Sequence, residues 1–242
     1  MSNREDRVVE RELGNVKLCF SSSRYDLLGK SFEKVSEAVK ESWRTSLKVT
    51  PVDALDPCYE IKSLRQPQIS ALYSILSHLT GHERKDVTVV MPTGTGKTET
   101  MLASICGLPV DKALVVVPTD SLREQTFNKC ISLGKLRELN AIHKETLNPV
   151  TALISGRLES NEELNFLLSA NVIVTTPHSL NLSGSQIKKK LFQACSHLFV
   201  DEAHHVKAKI WRSVKEAFSG KDVVQFTATP FREPLINSSL SG

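Results

Sequence analysis

Short apolar runs alternate with amphipathic segments from Val87 onward, and this alternation constrains the fold more than any other feature. The runs are VTVVMP, ALVVVP, TALIS, NVIVTTP, HLFVDE and VVQFTATP. They are apolar throughout, which is typical of strands buried on both faces of a parallel sheet. The segments between them predict helices at about 98–106, 120–133, 160–169, 186–194 and 207–218. The sequence therefore predicts an α/β protein with a doubly wound, mainly parallel sheet.

The first part of the chain follows a different pattern. Apolar residues recur there at three- and four-residue steps, as expected for one face of a helix: Leu28, Phe32, Val35, Val39 and Trp43. Two prolines then interrupt the pattern at positions 51 and 57. We interpret 1–60 as a partly helical N-terminal extension packed on a main domain at 61–232, and 233–242 as the start of a linker or tail.

Composition excludes several classes of protein. A chain with 40% hydrophobic and 24% charged residues has an ordinary globular composition. No apolar run approaches the roughly 20 residues that span a bilayer, and the N-terminus is charged, so we expect a cytoplasmic protein without membrane association. The 5 cysteines include no Cys-x-x-Cys pair, which disfavours a zinc site.

The stretch MPTGTGKT at 91–98 has the residue types of a phosphate-binding loop between a strand and a helix. Gly94 and Gly96 allow the backbone N–H groups to approach phosphate oxygens. Lys97 is suited to the β- and γ-phosphates and the Thr98 hydroxyl to Mg²⁺. A strict match to the loop pattern has glycine where this chain has Met91. The nucleotide-binding residues expected here are Pro92, Thr93, Gly94, Thr95, Gly96, Lys97, Thr98 and Glu99.

Two carboxylates follow the apolar run HLFV, at Asp201 and Glu202. We expect Asp201 to bind Mg²⁺ together with Thr98, and Glu202 to orient and deprotonate the attacking water. This division of roles places their strand next to the strand of the phosphate loop. An alternative role, in which the pair begins a helix as a cap and first-turn acid, leaves the phosphate loop without an acidic partner.

These two motifs together resemble the first RecA-like domain of a superfamily 2 helicase of the DEAD/DEAH-box kind. DEAH occurs at 201–204, so the resemblance implies a catalytic group of Lys97, Asp201, Glu202 and His204 with ATP and Mg²⁺ as cofactors. LRQPQ at 64–68 resembles the element that recognises adenine, which implies that role for Arg65 and Gln68.

Three further blocks agree with the same family. VPTDSLREQ at 117–125 and TTPHSL at 175–180 resemble elements that contact the nucleic-acid backbone. They imply this role for Pro118, Thr119, Gln125, Thr175, Thr176 and Pro177. FTATPFR at 226–232 resembles the element that links hydrolysis to strand movement, through Thr227 and Thr229. DEAHH and FTATPFR are most similar to the branch that includes restriction-enzyme motor subunits, which favours DNA over RNA.

The resemblance also implies a missing partner. In the family, ATP lies between two RecA-like domains, and the second domain supplies an arginine finger, which can contribute about 10³–10⁵ in rate. No such domain follows Phe231 in this sequence, so we expect poor ATP hydrolysis unless a second domain is supplied in cis or in trans. The alternative is a nucleotide-gated module that binds nucleic acid or protein without turnover.

Overall fold

The computed structural model describes residues 6–49, 62–81, 86–202, 214 and 216–229. The described strands are β1 (Arg7–Leu13), β2 (Val16–Ser22), β3 (Val87–Val90), β4 (Ala113–Val116), β5 (Thr151–Ile154), β6 (Val172–Thr175), β7 (His197–Val200) and β8 (Asp222–Thr227). The described helices are α1 (Tyr25–Leu28), α2 (Phe32–Trp43), α3 (Gln66–Thr80), α4 (Lys97–Gly107), α5 (Asp120–Ser132), α6 (Asn161–Leu167), α7 (Pro177–Leu182) and α8 (Ser185–Ala194).

These strands form one sheet in the order β1-β2-β5-β6-β4-β7-β8-β3. From β5 to β3 in this order, every pair of neighbouring strands is parallel. The β1–β2 pair and the β2–β5 pair are antiparallel. All residues of β4, β5, β6 and β7 are buried, as expected for central strands covered on both faces. The predicted α/β class with a doubly wound, mainly parallel sheet is confirmed.

The helices predicted between the strands lie close to their expected positions. Predictions of 98–106, 120–133, 160–169 and 186–194 correspond to α4, α5, α6 and α8. The segment 207–218 lies mostly outside the described residues; positions 214, 216 and 217 of it are helical. The short helix α7 was not predicted. Among the described residues, no helix has both the length and the apolar character needed to cross a membrane.

The N-terminal extension adds two strands that the sequence analysis did not predict. The predicted apolar helix face is present in α2, where Phe32, Val35, Val39 and Trp43 are buried. Before it, β1 and β2 form a hairpin, and β2 extends the main sheet by pairing with β5, Val16 opposite Ile154. The extension is thus part of the central sheet as well as a helix packed on it. Residues 50–60, with their two prolines, lie outside the described residues.

We predicted that the strand of the acidic pair lies next to the strand of the phosphate loop, and this prediction is wrong. β8 lies between β3 and β7, pairing with both. The pairing with β8 continues one residue past β3, where the Met91 N–H donates to the Thr227 carbonyl oxygen (2.9 Å). The phosphate loop and the acidic strand end therefore meet through long side chains that reach across an intervening strand.

Candidate nucleotide site

The phosphate loop runs from Met91 to Gly96 and leads directly into α4. Gly94 and Gly96 have φ of 81° and 93°, in the left-handed region that favours glycine. A Cβ atom on Gly96 would lie 2.2 Å from Gln68 Nε2. Within the loop, the Thr95 hydroxyl donates to the Pro92 carbonyl oxygen (2.6 Å). Because α4 begins at Lys97, the positive end of its dipole lies at the loop.

The residues expected to read adenine contact the backbone of this loop. Gln68 is buried; its Oε1 accepts from the Arg65 N–H (2.8 Å) and its Nε2 donates to the Gly96 carbonyl oxygen (3.3 Å). Arg65 Nη1 donates to the Gly94 carbonyl oxygen (3.4 Å). Both ends of the Gln68 amide are thus engaged, and α3 supports the loop from one side.

The acidic pair lies at the carboxyl end of β7. Asp201 is buried, and its N–H donates to the Val116 carbonyl oxygen of β4 (3.0 Å). Burial, followed by the nearby Glu202 carboxylate, raises the pKa of Asp201, although the Lys97 charge opposes this. Glu202 has a φ of 50°, which is uncommon for a residue with a side chain and is often found at functional sites. Its N–H donates to Asp201 Oδ1 (3.0 Å).

The Lys97 ammonium group forms an ion pair with the Glu202 carboxylate. Their side chains are only 9% and 17% exposed, so the pair is largely shielded from water. The structure thus brings together Lys97, Asp201 and Glu202, which the sequence predicted to act together. His204 lies outside the described residues.

The oxygen groups near this pair suit magnesium. Thr98, half-buried in the first turn of α4, offers a hydroxyl, and Asp201 offers a carboxylate. Among the described residues, no cluster of three His, Cys, Asp or Glu side chains is placed to hold a metal ion. Mg²⁺ fits such a sparse set, because it is usually held by one or two protein oxygens together with water and substrate phosphates. Glu99 faces elsewhere, toward Lys129 Nζ (3.3 Å).

Thr227 ends the strand between the phosphate loop and the acidic pair, and Thr229 follows in the next turn. Thr227 ends β8 opposite Val90, the last residue of β3. The Thr227 hydroxyl donates to the Thr229 carbonyl oxygen (2.9 Å) and accepts from the Thr229 N–H (3.3 Å). This closed turn holds the Thr-Ala-Thr element next to both halves of the site, although Pro230 to Arg232 lie outside the described residues.

Three of the six residues predicted to bind nucleic acid are buried, namely Thr175, Thr176 and Pro177. Val117 N–H donates to the Thr175 carbonyl oxygen (3.0 Å), so the two loops are adjacent. Thr119 is exposed and caps α5, its hydroxyl accepting from the Leu122 N–H (3.3 Å). Thr175 and Thr176 are only 0% and 2% exposed, and the Thr176 hydroxyl caps α7. Both hydroxyls are thus turned away from the surface, and their contact with the nucleic-acid backbone stays a prediction.

Pro118 and Pro177, also predicted in this group, are half-buried and buried respectively. Gln125 lies apart from the group. It lines a cavity of about 770 Å³ beside the phosphate loop, along with Arg65, Gln68 and Asn128. Sequence reasoning did not identify Asn128. The signal available for it was the polar spacing of positions 125, 128 and 132, one face of a helix.

One protein-family model, described as "Type III restriction enzyme, res subunit", matches residues 61–232. No curated protein matches the chain in sequence. Solved structures that resemble it include a DEAD box protein from the hyperthermophile Methanococcus jannaschii, with 19% identity over 69% of this chain and 44% of that chain and a TM-score of 0.46. The UvsW helicase from bacteriophage T4 has 15% identity over 77% of this chain and 62% of that chain, with a TM-score of 0.46.

The chain spans less than two thirds of the length of either of these proteins. At such identities and scores, the structural likenesses carry no weight beyond the fold that the coordinates already show. The sequence match is different in kind, because it covers most of the chain and includes the phosphate loop and the acidic pair. The chain belongs to the family of the type III restriction enzyme res subunit.

Proposed function

We propose that this chain is the ATP-binding N-terminal motor domain of an ATP-dependent nucleic-acid helicase or translocase. The ion pair between Lys97 and Glu202 carries this proposal. It joins the lysine of a phosphate loop to a carboxylate that is suited to be a general base, at the end of a central strand. A site that only binds phosphate needs the lysine but has no use for such a base.

The pair gives each residue a defined task. When phosphates occupy the loop, Lys97 exchanges the Glu202 carboxylate for the β- and γ-phosphates. Glu202 is then released to orient and deprotonate the attacking water. Both side chains are largely buried, which strengthens their electrostatic interactions with the reacting groups. Backbone N–H groups of the loop and the N-terminus of α4 hold the remaining phosphate oxygens.

Thr98 and Asp201 would hold Mg²⁺ in this function, and the ion would neutralise charge that develops on the transferred phosphate. Its positive charge would also keep the Asp201 carboxylate ionised, against the burial that raises the pKa of this group. The resemblance adds His204, from the DEAH sequence, to the catalytic group.

Among nucleic acids, DNA is the favoured substrate, because the family is described as a subunit of a restriction enzyme. Contacts are expected at the adjacent loops that follow β4 and β6, through exposed groups such as Thr119 and through backbone N–H groups. Contacts of this kind hold phosphates without reading bases, so binding is expected to be independent of sequence and to weaken with salt. A second RecA-like domain, in cis or in trans, completes the motor.

Calorimetric ATP binding and steady-state ATP hydrolysis of purified variants test this function. We expect Lys97→Ala to weaken ATP binding by at least about tenfold, whereas Lys189→Ala, an exposed lysine on α8, leaves it unchanged. Glu202→Gln should retain ATP binding but lose hydrolysis. Hydrolysis by the wild-type chain should rise by orders of magnitude when a second RecA-like domain and DNA are supplied.

The alternative function is a nucleotide-gated binding module without turnover. The same assay separates the two, because such a module binds ATP but shows no hydrolysis even with a second domain present. Hydrolysis that survives Glu202→Gln would instead show that the active centre lies elsewhere.

A further inference from the structure

A second cavity, of about 370 Å³, lies outside the nucleotide site. Its lining comes from α7, from α8 and from the helical positions Val214 and Ala217. Its volume is in the range of ligand-binding pockets, roughly 300–1,000 Å³. Among the described residues, neither Lys97 nor Glu202 contributes to the lining. We call this cavity the α8 groove, and the function proposed above does not use it.

Part of the α8 groove is apolar. Leu180, Phe192 and Val214 line it and are only 2%, 7% and 4% exposed. The Phe192 ring also packs against the Phe218 ring, with 5.5 Å between the ring centroids. The groove therefore offers a preformed apolar surface, which can bury an apolar side chain of a ligand away from water.

The rest of the lining is polar and basic. Lys188 and Lys189 both contribute to it; Lys189 is exposed and Lys188 is half-buried. The helix α8 contains no acidic residue, and the described residues that line the groove include no Asp or Glu. The groove thus combines an apolar surface with a positive charge that no residue of its lining neutralises.

The two lysines of the groove differ from the lysines near them. Lys190, the next residue of α8, donates to Asn161 Oδ1 (2.9 Å). Lys221 donates to three backbone carbonyl oxygens at the end of α8 (2.7–2.8 Å). In contrast, within the part of the chain that the structure describes, Lys188 and Lys189 form no hydrogen bond or ion pair through their ammonium groups. Both ammonium groups are therefore available to an anionic ligand.

An acidic peptide matches this chemistry better than a nucleic acid does. The phosphates of a nucleic acid bind cations and hydrogen-bond donors, and they have no use for an apolar pocket. Nucleic-acid bases stack on aromatic rings, but stacking needs an accessible ring face, and Phe192 is only 7% exposed. An apolar side chain of a peptide, in contrast, can enter the pocket while neighbouring carboxylates reach the lysines.

We propose that the α8 groove binds a segment of a partner protein in which apolar residues are flanked by acidic residues. An apolar side chain of this segment packs on the buried lining residues, and its carboxylates pair with Lys188 and Lys189. The exposed amides of Asn181 and Gln193, which also line the groove, hydrogen-bond the peptide backbone. The apolar centre and polar rim of the groove are typical of protein interfaces. Charge complementarity thus defines the partner.

Fluorescence anisotropy with the whole chain tests this inference. The probe is a short fluorescein-labelled peptide in which a phenylalanine and a leucine are flanked by glutamates. A second peptide has glutamine in place of every glutamate, and a third has alanine in place of the two apolar residues. A labelled single-stranded oligothymidine tests the nucleic-acid alternative.

Two variants alter the groove in different ways. Lys188→Ala combined with Lys189→Ala removes its charge, whereas Ala217→Trp fills it from an exposed position. The control combines Lys30→Ala with Lys190→Ala, which removes the same charge from exposed positions that do not line the groove. Because none of these positions is buried, the substitutions are expected to leave the fold intact, which circular dichroism checks.

We expect the probe to bind wild type and the control variant equally, and to bind each groove variant at least about tenfold more weakly. Each altered peptide should also bind wild type at least about tenfold more weakly than the probe does. ATP binding should be the same in every variant, so the inference and the proposed function are tested separately.

The inference is overturned if the probe does not bind wild type, or if either altered peptide binds as tightly as the probe. It is also overturned if the control variant loses as much affinity as the variant that lacks both groove lysines, or if Ala217→Trp leaves the affinity unchanged. Oligothymidine binding that is lost in both groove variants would assign the groove to nucleic acid instead.

Discussion

Lys97 and Glu202 form an ion pair across a strand that belongs to neither of them. Lys97 follows β3 and Glu202 follows β7, while β8 lies between and ends at Thr227. The pair therefore forms across the end of the strand that carries the Thr-Ala-Thr element. We predict that a ligand that separates the pair also changes the surroundings of Thr227.

The backbone of Glu202 is predicted to be strained, and glycine should relieve the strain. At a φ of 50°, alanine keeps the steric penalty of a Cβ atom whereas glycine does not. Both substitutions remove the partner of Lys97, so this loss cancels in the comparison. We expect Glu202→Gly to be more stable than Glu202→Ala by about 1 kcal/mol in urea unfolding. Equal stability of the two variants would show that the left-handed conformation costs nothing here.

The two loop glycines are predicted to differ in their tolerance of a side chain. Both have positive φ, but a Cβ on Gly94 meets nothing within 4 Å, whereas one on Gly96 lies 2.2 Å from Gln68 Nε2. We expect Gly94→Ala to lower the free energy of unfolding by about 1 kcal/mol, because of its backbone alone. Gly96→Ala should cost more, because it also displaces the buried Gln68 amide.

A double-mutant cycle checks this explanation. Gln68→Ala removes the atoms that clash with Ala at position 96, so the double variant should lose less stability than the two single variants together. We expect a coupling of about 1 kcal/mol by urea unfolding. Additive losses would locate the damage in the backbone of the loop rather than in the contact with α3.

The sequence predicts the centre of the fold well, because strands buried on both faces can be recognised by their runs of apolar residues. Each central strand is mostly apolar and buried at every position, and the loops that follow carry the polar residues of the site. The roles of Thr175 and Thr176 are harder to predict. Their hydroxyls look available in the sequence, but α7 begins beside them and Thr176 caps it. The motif alone does not show which hydroxyl a helix will bury.

The N-terminal hairpin is difficult to predict for a different reason. β2 is held by pairing between Val16 and Ile154, which are far apart in the chain, and β1 has mostly exposed residues. Strand formation here depends on pairing with residues that are distant in the chain, and the local sequence of the hairpin does not identify these partners. In the same way, the sequence predicts that Lys97 and Glu202 act together but does not predict that β8 separates their strands.

The N-terminal extension is predicted to be essential for stability through one buried amide. The Asn171 side chain is 0% exposed; its Nδ2 donates to the Ser36 carbonyl oxygen (2.9 Å) and hydroxyl (2.8 Å), and its Oδ1 accepts from the Val150 N–H (3.0 Å). Asn171→Ala removes the partner of the buried Val150 N–H and both bonds to Ser36 of α2. We expect a loss of about 3 kcal/mol in urea unfolding.

Asn181→Ala, at an exposed position on α7, is the matched control and should change stability by less than about 0.5 kcal/mol. A chain that lacks 1–49 should be much less stable than either variant, because it also exposes the edge of β5. If that shortened chain unfolds at the same urea concentration as the whole chain, the extension is an appendage and not part of the core.

Glu163 is predicted to make a contribution to stability that disappears in acid. Its Oε1 accepts from the Asn15 N–H in the hairpin turn (2.8 Å), and its Oε2 accepts from the N–H groups of Glu159 (2.6 Å) and Ser160 (3.1 Å). Burial alone would raise the pKa of Glu163, but these three donors favour the charged form and lower the pKa below its usual value. The charged carboxylate thus ties α6 to the N-terminal hairpin.

Because the folded pKa is lowered, this stabilisation is present above the unfolded pKa, near 4.5, and is lost as the pH falls through the folded value. Glu163→Gln places an amide N–H₂ against backbone donors and should cost about 2 kcal/mol at pH 7. The difference from wild type should shrink below about pH 4.5 as the wild-type carboxyl takes up its proton. Urea unfolding at several pH values measures this, with exposed Glu162→Gln as the control. A cost that stays constant with pH would mean that the packing of the side chain, rather than its charge, holds the hairpin to α6.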